Sequence, residues 1–105
     1  MWNWIVFNTF LKRFMGLMGR SSLADNTWYV IYPCSSIHTF WMRTPIDLAF
    51  FNKEGKVLAT HHAVKSRRIV NCSGAFGVIE GKVGQLMHMS LKVNDRLPVD
   101  TFLKK

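Results

Sequence analysis

The sequence predicts an α+β domain: a small, mostly antiparallel curved sheet or partly open β-barrel with two short helices. Three observations predict it. Short runs rich in aromatic and β-branched residues recur along the chain and are broken by Gly, Pro and Asn. Two such runs flank Asn52-Lys53-Glu54-Gly55, as the strands of a hairpin do. Elsewhere Phe10, Phe14, Leu17 and Met18 recur at helical spacing, and the segment after Gly81 reads as a second, shorter helix.

Taken in order, residues 2–7 form the first strand. Asn8 stands where an N-cap belongs, and a helix follows over 9–18, with Lys12 and Arg13 off its apolar stripe. Gly19 suits the left-handed residue that ends a helix. The stripe is expected to pack in the core; the other reading of 8–18 is an amphipathic helix at a membrane surface. Trp28 to Tyr32 is aromatic and β-branched, and Pro33 stops it. Ile37 to Met42 reads as extended. Ile46 to Phe51 and Lys56 to His61 are the hairpin strands. Val64 to Gly74 is a basic, irregular connection. Phe76 to Glu80 is a short strand, and a short helix lies within 82–91. Asn94 follows it and tolerates a positive φ.

The 105 residues suit a single domain over 1–105, large enough to fold around its own core. A hydrophobic share of 49% against 19% charged is a globular composition and excludes an intrinsically disordered chain. The net charge is +8, which favours an anionic partner: nucleic acid, phospholipid or an acidic protein. The charges are scattered, however, and Lys65, Arg67 and Arg68 form the densest cluster. Two cysteines, Cys34 and Cys72, make neither a disulfide framework nor zinc-finger spacing. They are expected as thiols in a reducing cytosol, with a single bridge as the alternative. The apolar start, Met1 to Phe7, is too short to span a bilayer. Its positive charge comes after the apolar run, the reverse of a secretory signal. A cytoplasmic protein with no transmembrane segment is expected.

Three blocks together carry a family resemblance. The first is Arg13 to Arg20 with Leu23. The second is Cys34 to Asp47, including Ile37-His38-Thr39-Phe40-Trp41-Met42-Arg43-Thr44-Pro45-Ile46-Asp47, with the hairpin after it. The third is Val78-Ile79-Glu80-Gly81, a short helix, then Asn94-Asp95-Arg96-Leu97. In this order and spacing they resemble the Domain of Unknown Function 192 family, also called uncharacterised protein family 0127, over about Val6 to Leu97. The resemblance implies a compact β-barrel-like fold and no chemistry. This chain departs from the family pattern twice. It has Ile79-Glu80-Gly81 where Leu-Glu-Leu or similar is usual, and Asn94 where Gly is usual.

The residues themselves offer several chemistries. His38 and Asp47 flank a bend at Thr44-Pro45, and a His–Asp pair can do general acid–base work. Cys34 would then be the nucleophile of a hydrolase-like enzyme. The structural alternative has Asp47 capping amides at the Pro45 turn and His38 bonded to a carbonyl. No nucleophile elbow accompanies the trio. His61 and His62 are adjacent and point to opposite faces of a strand, so no metal or other cofactor is expected. Glu80 is expected at a strand end before a helix, stabilised by the helix dipole, or else as a ligand-binding acid. Lys65, Arg67 and Arg68 with the aromatic residues could serve a single-stranded nucleic acid. The favoured reading is a non-enzymatic binding or accessory module. Its site lies around His38, Thr39, Trp41, Arg43 and Asp47, with Glu80, for an anionic ligand or a protein partner.

Overall fold

The structure is a computed structural model, and it describes residues 1–7, 23–39 and 44–102. The strands are β1 (Asn3–Phe7), β2 (Thr27–Ile31), β3 (Ser36–His38), β4 (Ile46–Phe51), β5 (Val57–Val64), β6 (Ile69–Asn71) and β7 (Gly77–Lys82). Two short helices follow, α1 (Gln85–Met89) and α2 (Val99–Phe102). Five strands form the main sheet in the order β1-β2-β7-β4-β5, and β3 pairs with β6 in a second, two-stranded sheet. The main sheet is mixed and open, not a closed barrel. The β1–β2 pairing is parallel, whereas β2–β7, β4–β7 and β4–β5 are antiparallel.

The three central strands read as near-continuous apolar runs because both of their faces are covered. Strand alternation then divides the core in two. Trp28, Val30, Ala49, Phe51, Ile79 and Leu86 pack on the face that carries α1 and α2. Tyr29, Ile31, Ile46, Leu48, Phe50 and Val78 pack on the other, where Ile37 of β3 and Val70 of β6 lie over them. The partition decides which candidate residues can meet.

The hairpin stands where the turn residues put it. Asn52 Oδ1 accepts the amides of Glu54 and Lys56, and Gly55 sits at φ +88°. A Cβ there would lie 2.9 Å from the Leu97 carbonyl oxygen, so the turn needs glycine twice over. Asn94 does adopt a positive φ, 79°. Three features differ from the sequence reading. β5 runs on to Val64 with bulges against β4. Part of the supposedly irregular 64–74 connection is strand β6, paired to β3. Helix α2 lacked enough periodicity in its four residues to be predicted. The helix expected over 9–18 lies outside the described residues.

Candidate functional site

Asp47 is buried in the middle of the fold. Its neighbours in β4, Ile46 and Leu48, belong to the β3–β6 side of the core, so alternation turns Asp47 to the helical side. There Oδ1 accepts the Ala63 amide at 2.9 Å, and Oδ2 accepts the Gly84 and Leu86 amides at 3.0 Å each. The first bond holds the bulge of β5, where Ile46 pairs with Val64 but Leu48 pairs with His61. Ala63 has φ 51° in that bulge. The other two bonds satisfy orphan amides at the start of α1, whose own N-cap, Gly84, has no side chain to do so. The sequence pointed to capping at the local Pro45 turn. The structure uses the carboxylate across 16, 37 and 39 residues instead.

The main sheet therefore separates Asp47 from His38. β3, which carries His38 exposed near its end, covers the opposite face. No hydrogen bond joins the two side chains among the described residues. The acid–base pair, one of the alternatives the spacing left open, is not assembled among the described residues, because Asp47 faces the helical side of β4 and β3 covers the other. Cys34 is on the β3 side too, half-buried, with its Sγ donating to the Ser36 carbonyl at 3.1 Å.

Thr39 is a second buried polar residue. Its hydroxyl donates to the Lys65 carbonyl at 2.7 Å and accepts the Arg68 amide at 3.0 Å. Its backbone N–H donates to the Arg68 carbonyl at 2.9 Å, and its carbonyl accepts the Arg67 amide at 3.3 Å. One threonine thus clamps the loop between β5 and β6. Lys65, Arg67 and Arg68 are exposed on that loop, and Arg67 has φ 63°. His38, paired with Ile69 across β3–β6, is the exposed residue next to them. The segment from Gly55 to Ile79 contains no Asp or Glu to neutralise these cations. Trp41 and Arg43, named with Thr39 as ligand-binding candidates, lie outside the described residues.

Glu80 is not at a strand end. β7 continues through Gly81 and Lys82, paired to Asp47 and Ile46, so the helix dipole does not reach it, and Asp47 takes the capping role instead. Glu80 lies between Tyr29 and Leu48, on the β3–β6 face. Its Oε2 is buried with no hydrogen-bond partner. Desolvation pushes its pKa up to about 8, so the carboxyl is largely protonated at neutral pH and able to donate an O–H. The candidates thus fall on two faces: Thr39, the basic loop and Glu80 on one, Asp47 on the other.

His61 meets the ring of Phe50 edge-on, 6.1 Å between centroids, while His62 is exposed. Among the described residues no group of three or more His, Cys, Asp or Glu side chains gathers as a metal site would require. No helix among them is long and apolar enough to cross a membrane. Sequence reasoning missed Trp2, Gln85 and His88, which share a cleft on the helical side. The one signal for it was Gly81, where the family pattern expects a large residue.

An open mixed sheet capped by two short helices, with a two-stranded flap opposite, defines a small α+β domain. The family model DUF192, Uncharacterized ACR, matches residues 3–99, and the chain belongs to that family. A UPF0127 protein of Thermococcus sibiricus (strain DSM 12597 / MM 739) is 32% identical over 100 residues. The match covers 88% of this chain and 62% of that protein, so the chain spans under two thirds of the relative's length. A protein of unknown function from Novosphingobium aromaticivorans DSM 12444 has a similar fold, with TM-score 0.79 and 18% identity over 90% of this chain and 73% of the other. A candidate transcription regulator from Sinorhizobium meliloti 1021 aligns with TM-score 0.79 and 17% identity, covering 89% and 78% of the two chains.

Proposed function

We propose that this domain is a non-enzymatic binding module that takes an acidic segment of a protein partner at the corner built by Thr39 and residues 65–68. One observation carries the reading. Thr39 fixes the loop backbone through both its side chain and its main chain, so Lys65, Arg67 and Arg68 project from a preorganised frame and not from a loose tail. Six Asp and Glu oppose fourteen Lys and Arg in the chain. Two of those acids, Asp47 and Glu80, are buried. Glu80, its pKa raised to about 8, is largely protonated at neutral pH, so the balance is one charge more positive than the formal count. A cytoplasmic setting belongs to this reading, with Cys34 and Cys72 as thiols.

Asp47 weighs against the enzyme reading, since its carboxylate is committed to amides on the far face of the sheet. The test is a 1H–15N NMR titration of the full chain with an oligo-glutamate peptide. Amide shifts centred on 38–39 and 65–69 are expected, weakened by added salt and abolished in Arg67→Glu/Arg68→Glu. Shifts elsewhere, or none at low salt, would overturn it. A preference for a single-stranded oligonucleotide, with a steeper loss in salt, would transfer the same corner to nucleic acid and also refute the reading as stated.

A further inference from the structure

We infer that the cleft between the start of β1, the end of β7 and α1 binds a neutral sugar ring. The cleft has a volume of about 340 Å³, at the small end of ligand pockets. Trp2, Asp25, Lys82, Gln85 and His88 supply its chemistry. It lies on the helical side of the sheet, shares no lining residue with the basic corner, and stands independently of the function proposed above.

Three observations point to the ligand. The first is the platform. Trp2 is half-buried, leaning on Trp28 with 6.0 Å between ring centroids and meeting His88 edge-on at 5.9 Å. The flat C–H face of a pyranose packs on such an indole, as apolar surface does on any large aromatic ring. The second is Gln85, which is buried and whose Nε2 donates to the Thr27 carbonyl at 3.0 Å. A carbonyl can only accept, so this bond settles which end of the carboxamide is which. Oε1 is left as a buried acceptor with no partner, a group that native structures rarely leave unmade. Gln85 lines the cleft, and a small turn of its side chain toward a ligand hydroxyl would satisfy this oxygen. Gly81 makes the arrangement possible, because a Cβ there would collide with Gln85 Nε2 and come within 2.8 Å of the Trp28 ring.

The third is charge balance. Lys82 Nζ is held by Asp25 Oδ1 at 2.6 Å, and the Gly84 and Leu86 amides are already spent on Asp47. The lysine of the cleft is thus already neutralised, which disfavours an anion. The cleft offers a polyol, whose hydroxyls both donate and accept, an ammonium beside a carboxylate and an orphan amide oxygen.

The experiment is a 1H–15N NMR titration of the full chain with D-glucose, D-galactose and D-mannose, with inorganic phosphate and adenosine as contrasts. Millimolar binding of at least one sugar is expected, shifting the Trp2 indole N–H, the Gln85 side-chain amide and backbone amides of 82–88. Trp2→Ala should weaken it roughly tenfold. His88→Ala, at an exposed position, should weaken it while leaving the folded spectrum intact, which covers the case in which Trp2→Ala unfolds. Three results would each overturn the proposal: no response to any sugar, a response to adenosine or phosphate alone, or sugar-induced shifts confined to 65–69.

Discussion

Asp47 and Leu86 lie 39 residues apart, and a 3.0 Å hydrogen bond from the Leu86 amide to Asp47 Oδ2 ties the middle of the sheet to the first turn of α1. The same carboxylate holds Gly84 and Ala63. Asp47→Ala leaves these amides without their partner, and a buried donor stripped of its acceptor costs about 1–3 kcal/mol. A total loss of roughly 3–5 kcal/mol is expected in urea denaturation, the scale of breaking a buried charged network. Asp47→Asn retains one acceptor oxygen and should lose less. A loss below about 1 kcal/mol for the alanine variant would show that water replaces the carboxylate.

Glu80 gives the protein a pH dependence of known sign. Burial raises its pKa from 4.5 to about 8, so the folded state holds a proton that the unfolded state releases. Between these values stability falls as pH rises, with a slope approaching about 1.4 kcal/mol per unit. Glu80→Gln should flatten that slope and stabilise the domain at pH 8 while changing little at pH 4. Denaturation midpoints measured across this range decide it; a wild-type profile as flat as the variant's would contradict the burial of a protonated carboxyl.

The Thr39 hydroxyl serves both Lys65 and Arg68. Thr39→Val keeps the shape and removes both bonds, so a loss of about 1–2 kcal/mol is expected. Amide hydrogen exchange at Arg67 and Arg68 should quicken more than exchange in β2 or β7. Uniform quickening across the sheet would mean that the hydroxyl does not act as a local clamp.

Gly81→Ala tests the close packing of Gln85 and Trp28. A methyl group that collides with Gln85 Nε2 and lies 2.8 Å from Trp28 must displace one of them, at a cost of roughly 1–3 kcal/mol. Thermal denaturation should show it, together with a perturbed Trp28 indole resonance. Wild-type values for both would mean that the neighbours yield freely.

What the sequence revealed follows from the range of the forces involved. The Asn52–Gly55 hairpin was legible because its turn chemistry is local. The strand at Trp28 to Ile31 was legible from composition alone. β6 was not, because three residues, Ile69–Asn71, become a strand only through β3, more than thirty positions away. The candidate site was half legible. Thr39, Asp47 and Glu80 stood out in a block of specific residues, and all three prove to be buried polar groups. Their roles did not stand out. Spacing left a His38–Asp47 meeting open, but Asp47 turns to the helical side of β4 while β3, with His38, covers the other face. Gln85 was invisible because its meaning rests on one orphan oxygen and on the room left by Gly81.

The three bonds of Asp47 also have a temporal meaning. Their partners lie 16, 37 and 39 residues downstream, and closing such loops costs chain entropy before any contact repays it. The β4–β5 hairpin can zip early, but the carboxylate sheds its water only when β7 and α1 have arrived. Two of the three Asp47 bonds, those to Gly84 and Leu86, are therefore expected to form late, giving the residue a low φ-value. Asp47→Ala should steepen the escape from the native state and leave the refolding limb of a chevron nearly unmoved. On that footing the residue that looked like a catalyst acts as a latch, setting how long the folded molecule lasts and not how quickly it forms.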